Sequence, residues 1–246
     1  METSQIKNTR TPVLWMAGDS TMQSYPEEKR PQWGWGERFL ERVEEQLGVV
    51  AGVVECFHRE DCPFDTQKRY IGQYFELDNC AMAGRSSKTF REEKRLQDIA
   101  EHILPGDYLL IQFGHNDAGK GKPERYVALE DFKESLYHYV QVAREHQATP
   151  MFLSSIALCP GSVIQGEAEE IQQLLPSYAE KMCEYAKELG IPYIDMGKIT
   201  KECLSCKTEE QAESLYLPDH VHLVYEGADQ YALLAAKEFT KHLPKV

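Results

Sequence analysis

The chain has 246 residues, 42% of them hydrophobic and 27% charged, enough for a substantial core in one large domain or two small ones. Lys and Arg total 27 against 40 Asp and Glu, a net charge of -13, which argues against nonspecific nucleic-acid binding because phosphates attract a basic excess. No apolar run approaches a membrane span, and residues 1–10 are polar and lack the apolar core of a secretory signal. These features point to a cytoplasmic, soluble protein with neither nucleic acid nor membrane as partner; no oligomeric state follows from them. The 7 cysteines are an odd number, which favours reduced thiols. Cys203-x-x-Cys206 has no second pair to complete a zinc site, so no metal is expected there.

In chain order, residues 12–17 form an apolar run that reads as a buried strand, left through Gly18-Asp19-Ser20. A polar loop closes at Trp33-Gly34-Trp35-Gly36. Phe39, Leu40, Val43 and Leu47 then fall at helical spacing up to Gly48. Residues 49–56 are apolar enough for a short edge strand, and 58–74 show no periodicity and read as loop. A core strand is predicted over 75–81, followed by a turn through Met82-Ala83-Gly84-Arg85-Ser86 and one helix over 88–103. The apolar run 107–113 is the clearest strand and exits at Gly114-His115-Asn116-Asp117. An amphipathic helix follows over 129–146, then a strand over 150–156 and an acidic excursion, 159–175, that reads as a lid. Pro176 suits the first turn of a helix that runs to Leu189 and is capped by Gly190. A last strand over 191–196, the loop 219–222 and a helix over 226–243 complete the chain. Strands alternating with helices give a parallel sheet covered on both faces, with right-handed crossovers bringing the strand exits to one edge. No repeat or linker interrupts it, so residues 1–246 are expected to form a single domain.

Four polar turns carry the chemistry: Gly18-Asp19-Ser20, 79–86, 114–117 and Asp219-His220-Val221-His222. A serine hydroxyl is a poor nucleophile until a base, a group orienting that base and donors for the oxyanion surround it. Asp219 and His222 are three apart on a compact turn, so the carboxylate can hold the near ring nitrogen while the far one takes the Ser20 proton. The Ser20 and Gly84 backbone N–H groups and the Asn116 side-chain amide are the candidate oxyanion donors.

The four turns resemble blocks I, II, III and V of the SGNH (GDSL-type) hydrolase superfamily. Gly18-Asp19-Ser20-Thr21-Met22, Gly34-Trp35-Gly36, Asn79-x-Ala81-x-x-Gly84-Arg85-Ser86-Ser87, Gly114-His115-Asn116-Asp117 and Asp219-x-x-His222 together resemble its rhamnogalacturonan acetylesterase branch. The resemblance runs over about 12–243. It implies an α/β fold, a three-layer αβα sandwich with a five-stranded parallel sheet. It also implies cofactor-free hydrolysis of O-acetyl esters on pectic oligosaccharides, with Ser20 as nucleophile, His222 as base, Asp219 as orienter and an oxyanion hole of Ser20, Gly84 and Asn116. The 58–74 and 159–175 segments depart from the branch and bear on the cleft.

Other readings are available for some residues. Ser20 can cap a helix, but proline and charge follow it rather than an apolar-periodic run. His220, His222 and Asp219 can ligate a metal, but a further ligand is not evident. Trp33 and Trp35 can stack on sugar rings or pack under the loop. Trp35, Arg85, His115, Lys120 and Lys122 are the candidate substrate-binding residues; Arg85, Lys88 and Arg91 follow the second turn and Lys120, Lys122 and Arg125 the third. Both basic groups are expected to flank the cleft and attract an anionic galacturonate chain. The rival functions are an esterase of the same chemistry on xylan acetate, a lipid ester or a thioester, and a noncatalytic carbohydrate-binding protein.

Overall fold

A computed structural model describes residues 10–50, 55–160 and 167–244. Its seven-stranded sheet has the order β2-β3-β4-β1-β5-β6-β7. The strands are β1 (Val13–Gly18), β2 (Glu55–Phe57), β3 (Lys68–Ile71), β4 (Glu76–Asn79), β5 (Tyr108–Gln112), β6 (Thr149–Leu153) and β7 (Tyr193–Ile194). The five strands β4-β1-β5-β6-β7 are mutually parallel. The β2–β3 hairpin extends this parallel core antiparallel along β4. The five-stranded parallel sheet of the sequence reading is therefore present and two strands wider.

Alternate residues of the central strands feed two apolar layers, the pattern of a sheet buried on both faces. Leu14, Met16, Leu110, Met151 and Leu153 pack on one side against α1 (Gly36–Gln46), α6 (Met196–Ser205) and α8 (Tyr225–Thr240). Val13, Trp15, Ala17, Leu109, Ile111 and Phe152 pack on the other against α2 (Ser87–Glu92), α3 (Arg95–His102), α4 (Phe132–Glu145) and α5 (Glu167–Leu189). The short α7 (Glu209–Glu213) lies between α6 and α8 in the chain. Among the described residues no helix is long and apolar enough to cross a membrane.

Several sequence expectations change. The 58–74 segment contains β3, in which Tyr70 alone is buried, too short an apolar signal to read. The helix expected over 88–103 is two, α2 and α3, because Lys94 takes a left-handed conformation at φ 64°. Pro176 lies inside α5 rather than in its first turn, since that helix has already begun at Glu167. Residues 161–166 of the expected lid, and 51–54 of the expected edge strand, lie outside the described residues. Helices α6 and α7 have no counterpart in the sequence reading.

Candidate active site

Because β4, β1 and β5 are neighbours, their C-terminal ends put the first three polar turns side by side at one sheet edge. Beyond Gly18, the Asp19 carbonyl accepts from the Met22 and Gln23 N–H groups at 3.3 and 3.1 Å. The Asp19 carboxylate accepts from the Thr21 N–H and hydroxyl at 2.9 and 2.8 Å. Ser20 sits at the tip of this turn, 8% exposed. The Tyr25 hydroxyl donates to the Ser20 carbonyl at 2.8 Å.

Burial alone would raise the Asp19 carboxyl, but the His115 ring, with Nδ1 3.3 Å away, and the Thr21 donors outweigh it and hold it below the usual range. Asp19 therefore stays ionised, and it ties the nucleophile turn to the loop after β5.

The turn after β4 has most of its donors engaged. Met82 N–H bonds the Gly18 carbonyl at 3.0 Å and Arg85 N–H bonds the Met82 carbonyl at 3.2 Å. Ala83 N–H donates to the Gln23 side-chain oxygen at 2.6 Å. Gly84 lies at φ 78°, where a side chain would be strained. Among the described residues the Gly84 and Ser20 N–H groups have no hydrogen-bond acceptor. From the β5 exit, the Asn116 amide donates to the Arg85 carbonyl at 2.9 Å, which fixes its plane against the same turn.

The fourth turn is pinned to the same edge. Trp33 N–H bonds the Leu223 carbonyl at 2.9 Å, and Cys159 N–H, past the end of β6, bonds the His220 carbonyl at 3.0 Å. One Asp219 oxygen accepts from the Val221 and His222 N–H groups, both at 2.9 Å. The other lies 2.7 Å from His222 Nδ1. Although partial burial opposes it, the His222 bond and the two backbone donors lower the Asp219 pKa to about 2. With Nδ1 engaged, His222 Nε2 has no partner among the described residues.

Trp33-Gly34-Trp35-Gly36 joins the two segments. Trp35 N–H bonds the Thr21 carbonyl at 2.9 Å, two residues from the Trp33 bond to Leu223. A Cβ on Gly34 would stand 2.0 Å from the Gln23 carbonyl oxygen, and one on Gly36 2.2 Å from that of Met22. The glycines let this strap lie directly on the nucleophile turn.

The structure revises the candidate substrate-binding set. Trp35 is 0% exposed and donates its Nε1 to Gln112 at 2.9 Å, so it packs under the site and offers no face to a sugar. His115 is buried against Asp19; its Nε2, also buried, has no partner among the described residues. The Arg85 guanidinium is bound to Glu93 at 2.7 Å and to the Ala83 carbonyl at 2.8 Å. Lys120 lies 3.4 Å from Glu170, and Lys122 is exposed. Lys88 and Arg91 line an open groove of about 400 Å³ between α2 and α4, together with Tyr126, Asp131, Glu134 and His138. No residue of the four turns lines that groove. Gln23 and Tyr25 are absent from the sequence reading, because each touches the turns through a contact that no local motif encodes.

A parallel-sheet α/β fold with a serine turn at the strand ends and a paired aspartate and histidine fits a class of acyl-transferring hydrolases. Residues 14–234 match the GDSL-like Lipase/Acylhydrolase family model. The chain belongs to this family, the SGNH hydrolases, and is a carboxylic ester hydrolase. It is 32% identical over 230 residues to the probable rhamnogalacturonan acetylesterase YesY of Bacillus subtilis strain 168, covering 91% of this chain and 90% of that one. It is 32% identical over 238 residues to the rhamnogalacturonan acetylesterase RhgT of the same strain, covering 91% and 88%. The solved structure of Axe2, an acetylxylan esterase from Geobacillus stearothermophilus, shares the fold at a TM-score of 0.62 and 13% identity, covering 94% of this chain and 93% of that one.

Proposed function

We propose that this chain is a serine acetylesterase that removes O-acetyl groups from pectic, rhamnogalacturonan-type oligosaccharides. The chemistry rests on one arrangement: the Asp219–His222 pair at 2.7 Å, in a turn bonded to the strap over the Ser20 turn, where the Ser20 and Gly84 N–H groups have no acceptor among the described residues. The substrate rests on the two near-full-length relatives that bear this name.

In this reading His222 Nε2 takes the Ser20 proton as the hydroxyl oxygen attacks the acetyl carbonyl carbon. Asp219 holds the ring through Nδ1 and stabilises the imidazolium. The carbonyl oxygen gains charge against the Ser20 and Gly84 N–H groups and the Asn116 amide. The tetrahedral centre collapses, the C–O bond to the sugar breaks, and His222 returns the proton to the departing alkoxide. Water, deprotonated by the same ring, then attacks the acetyl-Ser20 ester, and acetate leaves with Ser20 regenerated. The described cysteines other than Cys56 are free thiols, which agrees with action in a reducing cytoplasm on imported oligosaccharides.

The test is acetate release from acetylated rhamnogalacturonan, homogalacturonan and xylan oligosaccharides. The rhamnogalacturonan substrate is expected to give the highest kcat/KM, and a preference for xylan acetate would overturn the substrate assignment. Ser20→Ala is expected to abolish release from all three; retained turnover would remove Ser20 from the nucleophile role.

A further inference from the structure

Two open grooves lie between α4 and the α2–α3 pair, and they meet at Arg91 and His138. One, of about 400 Å³, is lined by Lys88, Asp131 and Glu134; the other, of about 340 Å³, continues to Glu145. Along α4 the lined stretch from Asp131 to Glu145 spans about 21 Å. The floor is fixed where the helices meet. Ser87 Oγ contacts Ser135 Oγ at 2.6 Å, and the Tyr139 hydroxyl donates to the Ser87 carbonyl at 2.7 Å. The near end adjoins the acyl site. Val127, in the same groove, donates its N–H at 3.0 Å to the carbonyl of Asp117, which follows Asn116 in the chain.

The two walls differ in sign: Lys88 and Arg91 stand on α2, Asp131 and Glu134 at the start of α4. Among the described residues none of these four side chains forms an ion pair or a hydrogen bond. Burial and the Arg91 charge lower the His138 pKa, so its ring is neutral near pH 7 and offers one donor and one acceptor. A net charge of -13 repels a polyanion at long range, so an acidic chain is held only where local cations are uncommitted. Such cations opposite such carboxylates suit a ligand with an anionic group on one side and hydroxyl donors on the other, as a uronate ring has. We propose that this groove is a second binding site, holding the part of an acidic oligosaccharide beyond the acetylated sugar. A uronate carboxylate lies on Lys88 and Arg91, and ring hydroxyls donate to Asp131 and Glu134. This rests on the acidic-oligosaccharide acetylesterase reading above.

The experiment measures acetate release from a long acetylated rhamnogalacturonan oligosaccharide, beside p-nitrophenyl acetate, which is too small to reach the groove from Ser20. Lys88→Gln with Arg91→Gln is expected to raise KM for the oligosaccharide by about 10-fold, equivalent to about 1.4 kcal/mol, with kcat and p-nitrophenyl acetate turnover unchanged. Each single variant is expected to fall between. Reducing the uronate carboxyls to alcohols is expected to raise the wild-type KM to a similar level and to add nothing in the double variant. Lys198→Gln with Lys201→Gln removes the same charge from exposed positions on α6, across the sheet, and is expected to leave KM at the wild-type value. An unchanged KM in the groove variants, or an equal rise in the α6 variant, overturns the second site and leaves the acetylesterase reading intact. No acetate from the oligosaccharide with wild-type enzyme overturns both.

Discussion

Asp219 divides its work between two oxygens, one on the backbone of its own turn and one on the His222 ring. Asp219→Asn keeps the shape but presents an amide that cannot stabilise an imidazolium, so kcat is expected to fall on the order of 10³-fold or more. Its pKa of about 2 sets the sign of its pH dependence. A carboxyl depressed in the folded state adds stability above its ordinary value of about 4, and that is lost as pH falls through about 2. Its ¹³C carboxyl resonance is therefore expected to keep the ionised shift at pH 4. Gln23 acts one step further out. Its side-chain oxygen takes the Ala83 N–H at 2.6 Å, fixing the peptide one before that of the Gly84 N–H, the proposed oxyanion donor. Under the proposed mechanism Gln23→Ala is expected to lower kcat by about 10-fold with little change in KM, since the contact steadies the turn that would carry the oxyanion donor. Ser20, Asp219 and His222 were legible because each stands in a short motif. Gln23 was not, because its partner is 60 positions away and a buried glutamine carries no pattern.

At the scale of elements, the turns hold their shape through groups behind them. Asp117 accepts from the Ser87 N–H and hydroxyl at the start of α2, and Ser87 Oγ meets Ser135 Oγ of α4 at 2.6 Å. Burial pushes the Asp117 carboxyl up to about 7, against the Ser87 bonds that pull it down. A carboxyl raised in the folded state stabilises fully below its ordinary pKa of about 4, and that contribution is lost as pH rises through about 7. Asp117→Asn mimics the neutral acid, so urea unfolding is expected to show a flatter stability profile between those limits, by up to about 4 kcal/mol. The β2–β3 side is held by Arg59, whose guanidinium sits 2.6 Å from Asp98 and 3.5 Å from Asp78, both buried. Arg59→Met is expected to destabilise by about 3–5 kcal/mol, because buried Asp98 loses its guanidinium partner and Asp78 keeps only Arg69. Long apolar strands such as β5 were legible. In β3, charged Lys68 and Arg69 precede the single buried Tyr70, and Arg69 pairs across the strand with Glu76 and Asp78. A strand held to β4 by cross-strand ion pairs leaves no apolar alternation to read.

For the molecule as a whole, the same sheet that aligns the turns also separates two apolar layers, and the question is whether they unfold as one body. Trp15 and Trp35 answer it, because they are 1% and 0% exposed on opposite faces. Each ring is tied to one end of β5: Trp15 Nε1 donates to Asp107 at 3.0 Å and Trp35 Nε1 to Gln112 at 2.9 Å. Asp107 immediately precedes β5 and Gln112 ends it, so each layer is anchored to one central strand, and loss of either exposes the other face of it. A sheet buried on both sides cannot keep one layer without leaving the opposite apolar side chains of β1, β5 and β6 in water, at about 25 cal/mol per Å². The chain is therefore expected to unfold as a single cooperative unit. Two variants make this measurable: Trp33→Phe with Trp35→Phe leaves Trp15 as the fluorophore, and Trp15→Phe with Trp33→Phe leaves Trp35. Within each variant the urea midpoint by tryptophan emission is expected to coincide with that by far-UV circular dichroism. An earlier emission transition from Trp35 alone would instead make the α1, α6 and α8 layer, and with it the strap over Ser20, a separately unfolding unit.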